Sequence, residues 1–182
     1  AAARSGWALA YSETEASDDR AILLARIAES QDRAGDWAAS RTSWQRLWSR
    51  HPASPEALRA ASRLDELEAK PESPKRSPED WRQRGDRLFA EMRNEEALDA
   101  YDRALAGGLP GTLATTTKTQ RAHTLFRLRR YPEALKAFVS LPQTGEIPIW
   151  RARSLARADR VPEAIAAFEV LATKFEAEGR GR

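Results

Sequence analysis

Residues 93–101 read RNEEALDAY, and the same pattern returns as RYPEALKAF at residues 130–138 and as RVPEAIAAF at residues 160–168. Every copy has an arginine, a glutamate three residues later, an Ala-Leu or Ala-Ile pair, a second alanine and a final aromatic residue. Internal repetition of this kind marks a supersecondary unit that cannot bury its apolar face alone and must stack on its neighbours. The repeat therefore predicts a helical array, a class of protein that works chiefly by presenting a surface.

The alanine and aromatic positions of the repeat are predicted to be structural. An alanine lets a neighbouring helix approach closely, and the aromatic residue four positions later lies one turn further along the same face and fills the remaining space. Most of the tryptophans are also predicted to lie on packing faces. The repeat positions in this role are Ala97, Tyr101, Ala134, Phe138, Ala164 and Phe168. The tryptophans are Trp37, Trp44, Trp48, Trp81 and Trp150.

Helix-start and helix-stop signals are frequent along the chain. Ser77 is followed by Pro78 and Asp80, so its hydroxyl can accept from the first-turn amides while Asp80 bonds back as a capping-box partner. Ser54 is predicted to open another helix in the same way, and glycines are predicted to mark helix ends. The glycines in this role are Gly35, Gly107, Gly108 and Gly179. The predicted helices cover residues 18–34, 37–50, 54–69, 78–92, 94–106, 113–129, 131–141, 148–158 and 161–177.

One interruption divides this helical pattern. Two prolines and a serine break the sequence near residues 70–77, which are predicted to form a loop between helices or a hinge between two sub-arrays. The segment before it, 1–69, holds the N-terminal helices and a first degenerate repeat, with one more short helix predicted around Trp7. The segment after it, 78–182, holds three helix pairs. No stretch alternates apolar and polar residues as a strand does, so the predicted fold class is all-α.

Composition and charge narrow the classes of partner. Hydrophobic residues make up 41% of the 182 residues, which is enough for a continuous core. Charged residues make up 31%, and they alternate in sign along most segments, as is typical of solvated helix faces. The net charge is only +3, and the basic residues are interleaved with alanine and leucine at helical spacing, so nucleic acid is not predicted as a partner. No apolar run reaches the ~18 residues of a membrane span.

The absence of cysteine excludes disulfides and thiolate metal sites, and it leaves both the cytoplasm and an exported compartment open. The chain starts at Ala1 without a methionine and ends in Gly-Arg-Gly-Arg. This pattern indicates a processed or excised piece of a longer protein.

At these residues the chain resembles the tetratricopeptide repeat, a helix-turn-helix unit of 34 residues with a set pattern of tryptophan, glycine, alanine and aromatic positions. The clearest copy starts at Ser77, although Arg84 stands where the family prefers leucine. Its matching residues are Trp81, Gly85, Leu88, Ala97, Tyr101 and Ala104. A fainter copy has Leu24, Ala28, Trp37, Ser40, Trp44, Leu47 and Pro52 in the same phase. The resemblance implies a tetratricopeptide-like solenoid of antiparallel helix pairs, wound as a right-handed superhelix.

The repeat spacing is irregular, since Ala97 and Ala134 are 37 residues apart while Ala134 and Ala164 are 30 apart. Together with the sequence IWRAR at residues 149–153, this irregularity resembles the superhelical domain of bacterial soluble lytic transglycosylases. That resemblance implies a noncatalytic domain of a periplasmic, peptidoglycan-cleaving protein, with peptidoglycan or a downstream catalytic domain as partner. The alternative is a free-standing adaptor, cytoplasmic or periplasmic, that binds proteins or peptides in its concave groove.

No catalytic residue, metal site or cofactor is predicted within this chain. Glu29 and Ser30 match the Glu-Ser pair of the transglycosylase catalytic domain, but no Gly-Leu-Met-Gln segment follows them. A glycoside hydrolase also needs a carboxyl group in a low-dielectric cleft, which a two-layer helical array does not obviously offer there. His51 and His123 are the only histidines, and neither has a second histidine at metal-binding spacing.

A partner-binding surface is predicted on the first helix of each pair, which lines the concave face in repeats of this kind. His123 and Arg127 occupy places equivalent to Arg153 and Arg157, 30 residues later. Arginine forks suit the carboxylate groups of a partner, including peptide termini and acidic muropeptide stems, although two solvated arginines are the plain alternative. Asp86 and Phe89 are assigned to the same surface on the preceding first helix. Asparagines that would clamp a peptide carboxylate are missing at the matching positions.

Overall fold

The chain folds into α-helices joined by short turns. The structure, a computed structural model, describes residues 17–69 and 71–180. The helices in these ranges are α1 Ser17–Arg33, α2 Trp37–Arg50, α3 Glu56–Leu67, α4 Pro78–Ala90, α5 Asn94–Ala106, α6 Gly111–Arg127, α7 Tyr131–Val139, α8 Ile147–Arg157 and α9 Val161–Arg180. They lie close to their predicted bounds, and the described residues contain no strand. The helix predicted around Trp7 lies outside the described residues.

The chain divides into two compact units, the first ending at Arg93 and the second beginning at Asn94. Helices α1 to α4 belong to the first unit, and α5 to α9 belong to the second. In the first unit α1, α2 and α3 pack in sequence and α4 packs on α2, and in the second unit each helix packs on the next, which is the predicted all-α helical-repeat arrangement. The division predicted at residues 70–77, and the handedness of a superhelix, remain predictions.

The first unit has an apolar core closed by aromatic and cationic side chains. Leucines and alanines of α1 and α3 pack against Trp44 and Trp48 of α2. Trp81 of α4 meets Trp48 edge to face, with ring centroids 4.5 Å apart. Arg84 lies 4.7 Å from the Trp48 ring and donates a 2.7 Å hydrogen bond to the Trp48 carbonyl. The arginine that departs from the family pattern therefore stabilises the junction of α2 and α4 by a cation–π contact.

A polar network also joins three helices of the first unit. Asp32 of α1 accepts hydrogen bonds from Ser40 Oγ at 2.5 Å and Trp44 Nε1 at 3.0 Å, both on α2. It also accepts two bonds of 3.1 Å from Nε and Nη2 of Arg63 on α3. Burial alone would raise the pKa of Asp32, but these hydrogen bonds and the positive charge of Arg63 outweigh burial and lower it.

The second unit is built from the repeat. Ala134 is fully buried with Leu98, Ala122 and Leu125, so the contact of α7 with its neighbours leaves no room for a larger side chain. Ala97 and Ala164 are buried as well, as are Tyr101 and Phe138. Phe168, the third aromatic of the pattern, differs and is partly exposed. In the other copies of the repeat the next helix covers the aromatic residue, and no helix follows α9 among the described residues.

The arginine and glutamate of the repeat bind each other at the start of a helix. Arg130 donates to both carboxylate oxygens of Glu133 at 2.7 and 2.6 Å, and Arg160 makes the same pair of bonds to Glu163. A bidentate pair three residues apart holds the first turn of α7 and of α9.

The same turn follows four of the helices, α1, α4, α6 and α8. Arg129 and Asp159 have positive φ angles of 60° and 62°, and the amide of the next residue donates back to a carbonyl five residues earlier, as in a Schellman motif. Met92 and Gly35 take this conformation after α4 and α1. Left-handed backbone is costly for non-glycine residues, so three of these four turns carry local strain.

Three details of the predicted helix ends and packing faces are wrong. Ser77 forms the predicted capping box with Asp80, but Ser54 does not cap α3, and its buried Oγ has no hydrogen-bond partner. Gly179 does not stop α9, which continues to Arg180, because glycine lowers helix propensity without excluding a residue from a helix. Trp37 is largely exposed, since it is the first residue of α2 and precedes the packed part of that helix.

Candidate interaction surface

The surface predicted on the first helix of each pair is centred on Trp150 of α8. The Trp150 ring lies 4.7 Å from His123 and 5.2 Å from Phe126, both on α6, in edge-to-face contacts. Phe138 of α7 stacks on Trp150 at 6.3 Å, and Trp150 Nε1 donates to Glu146 at 3.3 Å. These contacts fix α8 against α6 and α7.

We call the outer side of this cluster the α6–α8 face. It consists of His123, Phe126, Arg127, Trp150, Arg153 and Arg157. Arg153 lies over the Trp150 ring, with Cζ 4.8 Å from the ring centroid. His123 and Arg153, predicted to be equivalent, therefore contact the same ring. Arg127 and Arg157 each follow one helical turn later, and both are exposed.

His123 belongs to the packed part of this face. Burial lowers the pKa of His123, the charge of Glu146 opposes that effect, and the charge of Arg127 adds to it. The imidazole is therefore favoured in its neutral form, in which it packs against Phe138 and Trp150. His123 therefore contributes an uncharged ring to the α6–α8 face, and the positive charge of the face comes from its arginines.

Arg153 and Arg157 of α8 form no ion pair with the carboxylates of the described residues, and Arg129 forms none either. Arg153 contacts a ring, Arg157 makes no hydrogen bond or ion pair with the described residues, and Nε of Arg151 is buried without an acceptor there. Carboxylates bind four other arginines of the second unit. These pairs are Arg103–Asp99, Arg121–Asp102, Arg130–Glu133 and Arg160–Glu163.

The remaining predicted binding residues, Asp86 and Phe89, lie on α4 in the first unit. Asp86 accepts a 2.5 Å hydrogen bond from Arg82 Nη1 and borders a shallow groove of about 360 Å³ that Arg50 and Arg87 also line. Phe89 is partly buried. These two residues are described within their own unit. Of the other four predicted residues, the structure brings His123 and Arg153 onto the Trp150 ring, and the charge of Arg127 acts on His123.

The residues considered for other chemistry have structural roles. Glu29 on α1 accepts from Arg26 at 3.2 Å and from Arg59 at 2.6 Å, and Ser30 Oγ donates to the Arg26 carbonyl. His51 caps α2, and burial followed by four surrounding arginines lowers its pKa. Over the described ranges no group of three histidine, cysteine or acidic side chains could hold a metal ion. None of the helices described has the length and apolar character that a membrane span requires.

Two features of the α6–α8 face escaped the sequence-based prediction. Trp150 lies on a packing face as predicted, because it packs against the buried cluster that contains Ala134 and Phe138. The sequence did not show that the same ring also contacts Arg153. The three-residue spacing of Trp150 and Arg153 was the available signal, because residues three apart share a helix face. Phe126 also belongs to the face, and nothing in the sequence shows that its ring contacts Trp150.

Comparison with known families supports the helical-repeat interpretation. The tetratricopeptide repeat family matches residues 24–54, which cover most of α1, all of α2 and the turn after it. This stretch coincides with the fainter of the two predicted copies, from Leu24 to Pro52. No curated protein and no solved structure matches the chain. The match is to one repeat, and together with the all-helical fold it supports a tetratricopeptide-like helical-repeat arrangement.

Proposed function

We propose that this chain is a noncatalytic interaction domain that binds a protein or peptide through acidic groups on the partner. The α6–α8 face is the proposed contact surface. The observation that carries this proposal is that Arg153 and Arg157 of α8 form no ion pair with the described residues, whereas four other arginines of the second unit each bind a carboxylate. A guanidinium without an internal partner is available to an external carboxylate.

The support of the arginines by an aromatic cluster strengthens the proposal. Arg153 is held over the Trp150 ring, and Trp150 is itself fixed by His123 and Phe126. A guanidinium that is already oriented loses less conformational entropy when it binds a carboxylate. Arg157, one turn further along α8, extends the same face, so two acidic groups of a partner could be bound in sequence.

A peptide titration tests this surface. We would measure the fluorescence anisotropy of labelled 12-residue peptides that contain no, two or four glutamates in an otherwise fixed sequence. The parent chain should bind the most acidic peptide best. Arg153→Gln with Arg157→Gln should weaken that binding about tenfold, because each exposed charged contact contributes up to ~1 kcal/mol.

The matched control removes the same charge from paired arginines. Arg130→Gln with Arg160→Gln changes the net charge equally, but those side chains already bind Glu133 and Glu163. This control should retain the parent affinity. Equal losses in the two double variants would show that only net charge matters and would reject the α6–α8 face as a specific site.

The narrower form of the proposal places the chain in the helical-repeat region of a periplasmic lytic transglycosylase. Its support is the irregular repeat spacing and the sequence at residues 149–153, and the ion pairs of Glu29 agree with a noncatalytic role. The alternative is a free-standing adaptor. The genomic sequence on both sides distinguishes them: a signal sequence upstream and a Glu-Ser pair with Gly-Leu-Met-Gln downstream support the transglycosylase.

A further inference from the structure

Helix α9 carries an exposed apolar stripe with the spacing of a helix-packing seam. The stripe residues succeed each other at intervals of four, three, four and three, so they lie on one face of the helix. Every stripe residue is exposed, and the large ones are 40 to 53% exposed. The α9 stripe consists of Val161, Ile165, Phe168, Ala172 and Phe175.

The internal copies of the repeat show what covers this face elsewhere. Ile165 and Phe168 are 53% and 40% exposed, whereas Leu135 and Phe138, at the same repeat positions of α7, are 7% and 0% exposed. Helix α8 covers those α7 positions, through Leu155 against Leu135 and Trp150 stacked on Phe138.

The same pattern holds one repeat earlier. On α5, Leu98 and Tyr101 are buried, and Leu98 packs with Ala122 and Leu125 of α6. In both internal copies the cover is therefore an amphipathic helix. The α9 stripe is the same contact surface without that helix among the described residues.

The charged residues next to the α9 stripe indicate the charge of the helix that would bind there. Glu169 and Glu176 lie four residues after Ile165 and Ala172, so both adjoin the stripe on one side, and both are exposed. Lys174 lies on another side of α9, where it lines a groove with Leu135 and Val139. A second copy of α9 packed antiparallel along the stripe would bring glutamates of the two copies together. A basic helix would instead gain attraction there.

We propose that the α9 stripe binds an amphipathic helix of a partner protein, one with an apolar stripe of matching spacing and lysine or arginine along the edge that faces Glu169 and Glu176. The helix packs on α9 as α8 packs on α7. This surface is distinct from the α6–α8 face and does not depend on it, so each can fail in a test without the other.

A synthetic peptide of residues 144–159 is a suitable probe, because it contains the α8 sequence that covers the equivalent positions of α7 and carries three arginines. Binding of the labelled peptide to the full chain is measured by fluorescence anisotropy. Ile165→Ser with Phe168→Ser should weaken binding at least tenfold, and Glu169→Lys should weaken it severalfold. Val170→Ser is the matched control, since Val170 is 70% exposed on α9 but lies outside the stripe.

Two further measurements distinguish a basic partner helix from other molecules that could cover the α9 stripe. A peptide with its three arginines changed to glutamate should not bind, and circular dichroism should show that every variant keeps the helix content of the parent. Sedimentation velocity should find the parent monomeric. A parent dimer that Ile165→Ser with Phe168→Ser dissociates would overturn the proposal in favour of a second copy. Absence of peptide binding, or equal binding by the stripe variant and the control, would also overturn it.

Discussion

The two compact units are built from the same kind of helical repeat but are stabilised by different interactions. In the first unit Asp32 joins α1, α2 and α3, and Arg84 of α4 packs on Trp48 of α2. In the second unit most ion pairs join residues three or four apart, such as Arg130–Glu133, while alanine and aromatic positions make the contacts between helices. Exposed local pairs contribute little to stability. The stability of the first unit should therefore depend on the charge of Asp32, and the stability of the second unit on the small volume of its alanines.

The largest effect is expected where that charge is removed. Asp32→Ala should reduce the free energy of unfolding of the first unit by about 3 kcal/mol, because Arg63, Ser40 and Trp44 all lose an acceptor. Urea unfolding followed by tryptophan fluorescence measures the loss. Asp32→Asn keeps the shape and part of the accepting capacity, so its loss should be smaller. A full-size loss in Asp32→Asn would assign the effect to charge alone.

The same residue makes a pH-dependent contribution. The pKa of Asp32 is lowered from its ordinary value of 3.8 in the folded protein, so the unfolded state binds more protons between the two pKa values. Its stabilisation is present in full above the ordinary value and is lost as pH falls through the folded pKa. Between pH 5 and pH 2 the parent should lose more stability than Asp32→Asn. Parallel losses would contradict this role.

A somewhat smaller effect is expected from overpacking the second unit. Ala134→Leu should destabilise it by about 2 kcal/mol, because Ala134 is fully buried among α5, α6 and α7. Thermal unfolding with circular dichroism detection gives the shift. Ala166→Leu, at an exposed position of α9, is the control and should change stability little. Equal melting curves for parent and Ala134→Leu would place the close helix contact elsewhere.

The smallest effect concerns the repeated turn, which has glycine after α1 but arginine after α6. Arg129→Gly should stabilise the second unit by about 0.5 to 1 kcal/mol, because glycine adopts the positive φ of 60° without strain. Lys118→Gly, on the exposed middle of α6, should destabilise by about 1 kcal/mol and serves as control. Destabilisation by both variants in urea unfolding would mean that the turn at Arg129 is not strained.

Much of the helical layout could be predicted from the sequence, because its signals are local. The capping box of Ser77 needs only four successive residues. The alanines of the repeat predict a close helix contact even when the sequence does not identify the partner helix. Ser54 failed as a cap although its sequence context is similar, since capping also depends on the backbone conformation at the cap residue. The family match at residues 24–54 likewise follows from a pattern readable in one stretch of chain.

By itself the sequence determined the all-α class, the approximate helix bounds, the structural alanines and the likeness of α1 and α2 to a tetratricopeptide repeat. Tertiary structure decided which side chains meet: Asp32 with Arg63, Arg84 with Trp48, and His123 and Arg153 on one Trp150 ring. It also decided that Phe168 is exposed while Phe138 is buried. The physical reason is that periodicity and capping act within a few residues, whereas burial and charge pairing depend on which helix packs next.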